Sequence, residues 1–143
     1  MRSGRMGYVG MGVIRYSSGL ESPVGPLVFH ELFHVYQTKE KAVASRNNEI
    51  EAYVAQYLYF MSLEGAENRK FWAVSASFTW YVTKLAEYAG RFSMDLRGDT
   101  EFQKLYSKAL EELRGHYLYG VLTNYTEEPG PHAFPNLFLL LNT

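Results

Sequence analysis

The sequence contains no cysteine. That excludes a disulfide framework, a zinc ribbon and a thiol nucleophile, and it leaves histidine and carboxylate to hold any zinc-like metal. An excess of charge of one sign is lacking too. Lys and Arg number 14 against 15 Asp and Glu, a formal net charge of −1. A dedicated nucleic-acid binder would be basic, so no nucleic-acid partner is expected. Long apolar runs are also missing. The run Leu137 to Leu141 is far below the ~20 residues of a membrane span, so no transmembrane segment is expected. Met1 to Gly12 carries two Arg but no apolar stretch of signal-peptide length. Localisation stays open, a secreted or cell-envelope parent protein included.

What is present is the material for a core. Hydrophobic residues make up 47% of the chain and aromatic residues 16%, with 12 Tyr and 9 Phe. Disordered chains are poor in these types. A length of 143 residues fits a single domain over 1–143. Tyr8 to Tyr16 reads as one or two short strands, interrupted by Gly10 and Gly12 without a phosphate-binding pattern. The chain thus enters strand-forming sequence almost at once. That fits a fragment of a longer protein with an upstream domain missing, or a fold completed by homo-oligomerisation.

Ser17 to Pro26 reads as a loop, and Pro26 suits the first position of a helix continuing to about Lys39. After a polar connection, Ser45 or Asn47 caps a second helix from about Asn48 to Leu63. A third helix is expected from Glu67 to Ala89, its apolar stretch Phe71 to Val82 reading as core. A fourth follows the Asp99–Thr100 cap signal to about Arg114, and a last short helix starts at Pro135. The expected class is α+β and mainly helical.

The chemistry is concentrated in residues 30–34, His-Glu-Leu-Phe-His. Positions i and i+4 of a helix share a face about 5–6 Å apart. Two imidazoles so placed can converge on one zinc. Glu31 lies about 100° around the helix from His30. It is off the ligand face, where it can serve as general base toward a zinc-activated water. A catalytic zinc takes a third protein ligand and keeps one position open. Asn48-Glu49-Ile50-Glu51-Ala52-Tyr53 supplies two carboxylates in the first turn of the next helix. Two residues apart, they point about 200° from each other, so only one can face the histidines. Either Glu49 or Glu51 can fill that place.

HELFH together with Glu49-Ile50-Glu51-Ala52 resembles the gluzincin group of HExxH zinc metallopeptidases over roughly residues 26–60. The resemblance implies a zincin-like fold, with an active-site helix followed by a Glu-bearing helix and the N-terminal strands along the cleft. It implies zinc held by His30, His34 and Glu49, with Ala52 as the small residue behind Glu49 and Glu51 the alternative ligand. It implies a peptide or protein substrate. Fourteen residues lie between His34 and Glu49, a short spacing that suggests a minimal version. Many members carry Asp just after the small residue, where this chain has Tyr53. Orientation of a ligand imidazole then falls to Gln56 or a backbone carbonyl.

Peptide hydrolysis also needs a donor to the developing oxyanion. His116, His132, Tyr117, Tyr119 and Tyr125 are candidates, His116 foremost. Gln37, one turn beyond His34, reads mainly as a local hydrogen-bonding residue. The alternative function is a catalytically weak or inactive zinc-binding module for interaction or sensing on the same fold.

Overall fold

Helices account for most of the chain in the computed structural model, which describes residues 6–9, 13–16, 24–37, 44–91 and 94–142. The expected loop over 17–23 and the connection over 38–43 lie outside the described residues, as do Gly10 and Gly12. At the front, β1 (Met6–Val9) pairs antiparallel with β2 (Val13–Tyr16), Tyr8 opposite Ile14. Among the described residues, no helix is long and apolar enough to cross a membrane.

The first helix, α1 (Val24–Gln37), begins ahead of Pro26. Proline is tolerated there because first-turn N–H groups have no intrahelical acceptor. The second, α2 (Arg46–Ser62), is capped by Ser45, whose hydroxyl accepts from the Asn48 amide at 3.1 Å. Contacts between the two run in opposite sequence order. Gln37 meets Asn48, His30 meets Glu49, and Phe29 stacks on Tyr59 at 4.6 Å. The helices are therefore an antiparallel pair, with the HELFH face turned onto the first turns of α2.

The continuous third helix expected over 67–89 does not form. A short 3-10 turn, Ala66–Asn68, leads into extended chain; α3 (Ala76–Ala86) then begins, and a second 3-10 turn follows at Ala89–Arg91. The interruption has a local cause. The Ser75 hydroxyl caps α3 by accepting from the Phe78 amide at 3.0 Å, and the Thr79 hydroxyl accepts from the Ala73 amide at 2.8 Å. These side chains offer the backbone partners outside a helix. Val74, just before Ser75, has a left-handed φ of 65°, strained for a β-branched residue. The apolar stretch is accordingly only partly core. Phe78 and Val82 are fully buried, whereas Trp72 and Trp80 are more than half exposed.

The last two helices, α4 (Thr100–Arg114) and α5 (Pro135–Leu141), start where the Asp99 cap and Pro135 place them. Phe102, Tyr106, Ala109, Leu110 and Leu113 form the buried stripe of α4 at helical spacing. They join Phe78, Leu85, Leu96, Phe134 and Leu137 with Ile50 and Val54 of α2 in one core. Helix α2 packs against α1, α3, α4 and α5. It is the central element, and its first turn carries the candidate ligand.

Candidate metal centre

On α1, His30 and His34 present their Nε2 atoms to the same space, 3.2 Å apart. From α2, Glu49 reaches in with both carboxylate oxygens. Oε1 lies 3.2 Å from His30 Nε2 and Oε2 lies 2.8 Å from His34 Nε2. Two atoms each about 2.0–2.1 Å from a tetrahedral zinc would sit about 3.3 Å apart. The two spacings of 3.2 Å are close to that value, and the third, to the other carboxylate oxygen, is about 0.5 Å shorter. This donor set, two imidazoles and one carboxylate, could hold a metal ion.

The electrostatics agree. Burial would raise the Glu49 carboxyl, yet hydrogen bonds from His30 and His34 hold it at about 2. Burial disfavours a charge on His34, but Glu49 outweighs it and raises the His34 pKa. The cluster thus sets a buried carboxylate against two imidazoles that share its charge.

Glu51 does not share the cluster. Its buried carboxylate accepts from Gln37 Nε2 at 2.9 Å, Asn136 Nδ2 at 3.0 Å and the Leu137 amide at 2.9 Å. Burial raises its pKa, and these donors partly offset the effect. Glu31 behaves differently from both. It is exposed, on the side of α1 that lines an open cavity of about 680 Å³ with His30, His34 and Glu49.

Gln56 also lines this cavity, but it does not orient His30. Its Oε1 and the His30 Nδ1 are both buried without a hydrogen-bond partner among the described residues. The His30 ring is instead packed against Tyr53, centroids 4.3 Å apart. At the position where the gluzincin resemblance leads one to expect a carboxylate, an aromatic face confines the imidazole.

The far wall of the cavity comes from residues 119–125. Tyr119 and Tyr53 share a 2.6 Å hydroxyl–hydroxyl hydrogen bond. Burial pushes the Tyr53 phenol up to about 12 and raises that of Tyr119 as well. The Tyr125 hydroxyl points at Glu49 Oε2 from 3.5 Å, and burial together with the Glu49 charge raises its pKa. It therefore stays protonated at neutral pH and able to donate. His116 sits behind this wall. Its ring lies 6.1 Å from Tyr119, its Nδ1 accepts from the Leu118 amide at 3.3 Å, and it is not among the residues lining the cavity. His132 is elsewhere again, stacked on Tyr106 at 4.2 Å and 3.1 Å from Asn47 Nδ2.

Arg46, which the sequence reading passed over, fastens the wall to α2. Its guanidinium donates to the carbonyls of Tyr119 at 2.7 Å and Gly120 at 2.9 Å, and pairs with Glu127 at 3.1 Å. The Arg46 amide also donates to Thr126 O at 2.9 Å, and the Thr126 amide to Ala44 O at 3.0 Å. Gly120 is required for this turn because a Cβ there would meet Arg114 O at 2.9 Å and His116 O at 3.0 Å. Both are backbone atoms and cannot step aside. Gly120→Ala should therefore destabilise the fold by about 1–3 kcal/mol, the usual penalty of overpacking. A chemical denaturation curve measures it, and a midpoint equal to wild type would show that the turn relaxes freely. Comparison with protein-family models, curated proteins and solved structures finds no match to the chain.

Proposed function

We propose that this chain is a zinc-dependent peptidase of gluzincin type. The observation that carries the reading is the convergence of His30, His34 and Glu49 beside the exposed, non-ligating Glu31 in one open cavity. A purely structural metal site has no use for a free carboxylate at its mouth. Zinc bound by the three residues would supply Lewis acidity, bringing the pKa of a bound water to about 7 and polarising a carbonyl.

The rest is the work of the chain's own side chains. Glu31 accepts a proton from the water whose oxygen attacks the peptide carbonyl carbon. It then returns that proton to the amine nitrogen as the C–N bond breaks. Tyr125 donates its hydroxyl hydrogen toward the charge developing on the carbonyl oxygen, the role expected foremost of His116. Leu27, Val28 and Tyr119 give the open cavity apolar surface against which a substrate side chain can pack.

Protein purified without chelator should carry about one zinc per chain and cleave unstructured peptides in a chelator-sensitive way. His30→Ala and His34→Ala should each lose the metal. A metal-free wild type would overturn the reading. Stoichiometric zinc without cleavage would leave the non-catalytic binding module.

A further inference from the structure

Gln37 occupies a position that fixes more than its own rotamer. Its Nε2 lies 2.9 Å from Asn48 O and 2.9 Å from Glu51 Oε1, so both amide hydrogens face acceptors. An amide has two donor hydrogens on nitrogen and none on oxygen. Reversing the group would aim its oxygen at a carbonyl and a carboxylate at once. The Oε1 is thereby forced to the opposite side, where it lies 2.8 Å from His34 Nδ1. Only a protonated Nδ1 can make that contact. The Nε2 of the same ring donates to Glu49 Oε2 at 2.8 Å, and it is this Nε2 hydrogen, not the one on Nδ1, that a cation would replace.

We infer that Gln37 and Glu51 are positioning residues, a relay that holds the hydrogen on His34 Nδ1 and so leaves Nε2 as the ring atom offered to the cation site. Glu51 is the fixed end. It is 3% exposed and also accepts from Asn136 Nδ2 and the Leu137 amide at the start of α5. The C-terminal helix is thus tied through Glu51 and Gln37 to a ligand on α1. His30 lacks such a partner, its Nδ1 being buried and unpaired among the described residues. The two histidines are accordingly oriented by different means, His34 by a hydrogen-bond relay and His30 by the face of Tyr53. The value of the relay to a metal rests on the function proposed above, whereas the Nδ1 hydrogen can be read in metal-free protein.

The test uses the whole chain. Long-range 15N–1H correlation spectra of metal-free wild type near neutral pH should show a hydrogen on His34 Nδ1 that exchanges slowly with water. In Gln37→Ala that protection should be lost. Zinc affinity, measured by competition with a chromophoric chelator, should fall about 10- to 100-fold, as for other residues that orient metal-ligating histidines. Glu51→Gln lets the Gln37 amide turn over and should reproduce the loss of protection. The double variant should bind zinc no more weakly than Gln37→Ala, since both act along one path. A wild-type His34 Nδ1 without a hydrogen, or unchanged exchange in Gln37→Ala, overturns the relay. If Glu51→Gln does not fold, those two measurements still decide. A wild type that shows the protected Nδ1 hydrogen but binds no zinc overturns the peptidase reading and leaves the relay standing.

Discussion

Glu31→Gln should leave zinc bound at full stoichiometry and reduce peptide hydrolysis by about 10²–10⁴-fold, the usual contribution of a general base. The substitution keeps the size and shape of the side chain and removes only the ability to take up a proton. Glu31 is exposed, so the fold should be indifferent, with stability within about 0.5 kcal/mol of wild type. The two properties that usually fall together, metal content and activity, should here come apart. His34 gains part of its raised proton affinity from the Glu31 charge. Losing that charge makes His34 slightly easier to deprotonate and does not hinder metal binding. If the variant instead loses its metal, Glu31 is a ligand and the roles of Glu31 and Glu49 must be redrawn. If it hydrolyses peptides at the wild-type rate, the general base is another group.

The second large effect should come from Arg46→Met, which keeps the aliphatic stem and deletes the guanidinium. Arg46 is 6% exposed, and its removal leaves the buried carbonyl of Tyr119 without that donor, whereas the Gly120 carbonyl still accepts from the Thr123 amide at 3.1 Å and hydroxyl at 2.6 Å. Such an orphan costs roughly 1–3 kcal/mol, and a loss of about that size is expected. Glu127 is not stranded, because Arg114 still holds it through contacts of 2.6 and 2.7 Å. The comparison with Arg114→Met is informative. That side chain is 43% exposed, and its ion pair should contribute no more than about 1 kcal/mol. Urea titrations should give a lower midpoint with an unchanged slope for Arg46→Met and a near-wild-type curve for Arg114→Met. Equal losses in the two variants would mean that Arg46 acts only through Glu127 and not on the Tyr119 turn.

Those two predictions draw on parts of the molecule that differ in how far the sequence reveals them. The HELFH helix, the Ser45-capped helix after it and the Asp99-capped α4 are visible because their signals are local: an i, i+4 pair, a cap hydroxyl, a repeating apolar stripe. The choice between Glu49 and Glu51 is not local. Both lie in one helical turn, and which faces the histidines depends on how α2 rotates against α1 and on the amides of α5 that meet Glu51. The broken third helix was hidden because Phe71 to Val82 has helical apolar spacing. Ser75 and Thr79 decide the matter through single hydrogen bonds that periodicity does not register. Arg46 resembles any surface cation in sequence, its partners being backbone carbonyls about seventy residues away. Tyr125 was one of several tyrosines until the turn around Gly120 placed it against Glu49.

The sequence separations within the centre also imply an order of assembly. His30 and Glu49 are 19 residues apart, and Gln37 and Glu51 only 14. The wall contacts span 66 residues for Tyr53 with Tyr119 and 76 for Glu49 with Tyr125. Loop-closure entropy rises with the length closed, so the ligand-bearing hairpin should close before the tyrosine segment docks. Native-state hydrogen exchange should then find two tiers of protection, the segment 119–126 opening at lower free energy than the amides of α2. A nascent chain would contain His30, His34 and Glu49 as soon as α2 had emerged. It would become a shaped cleft only after the whole of α4 had followed.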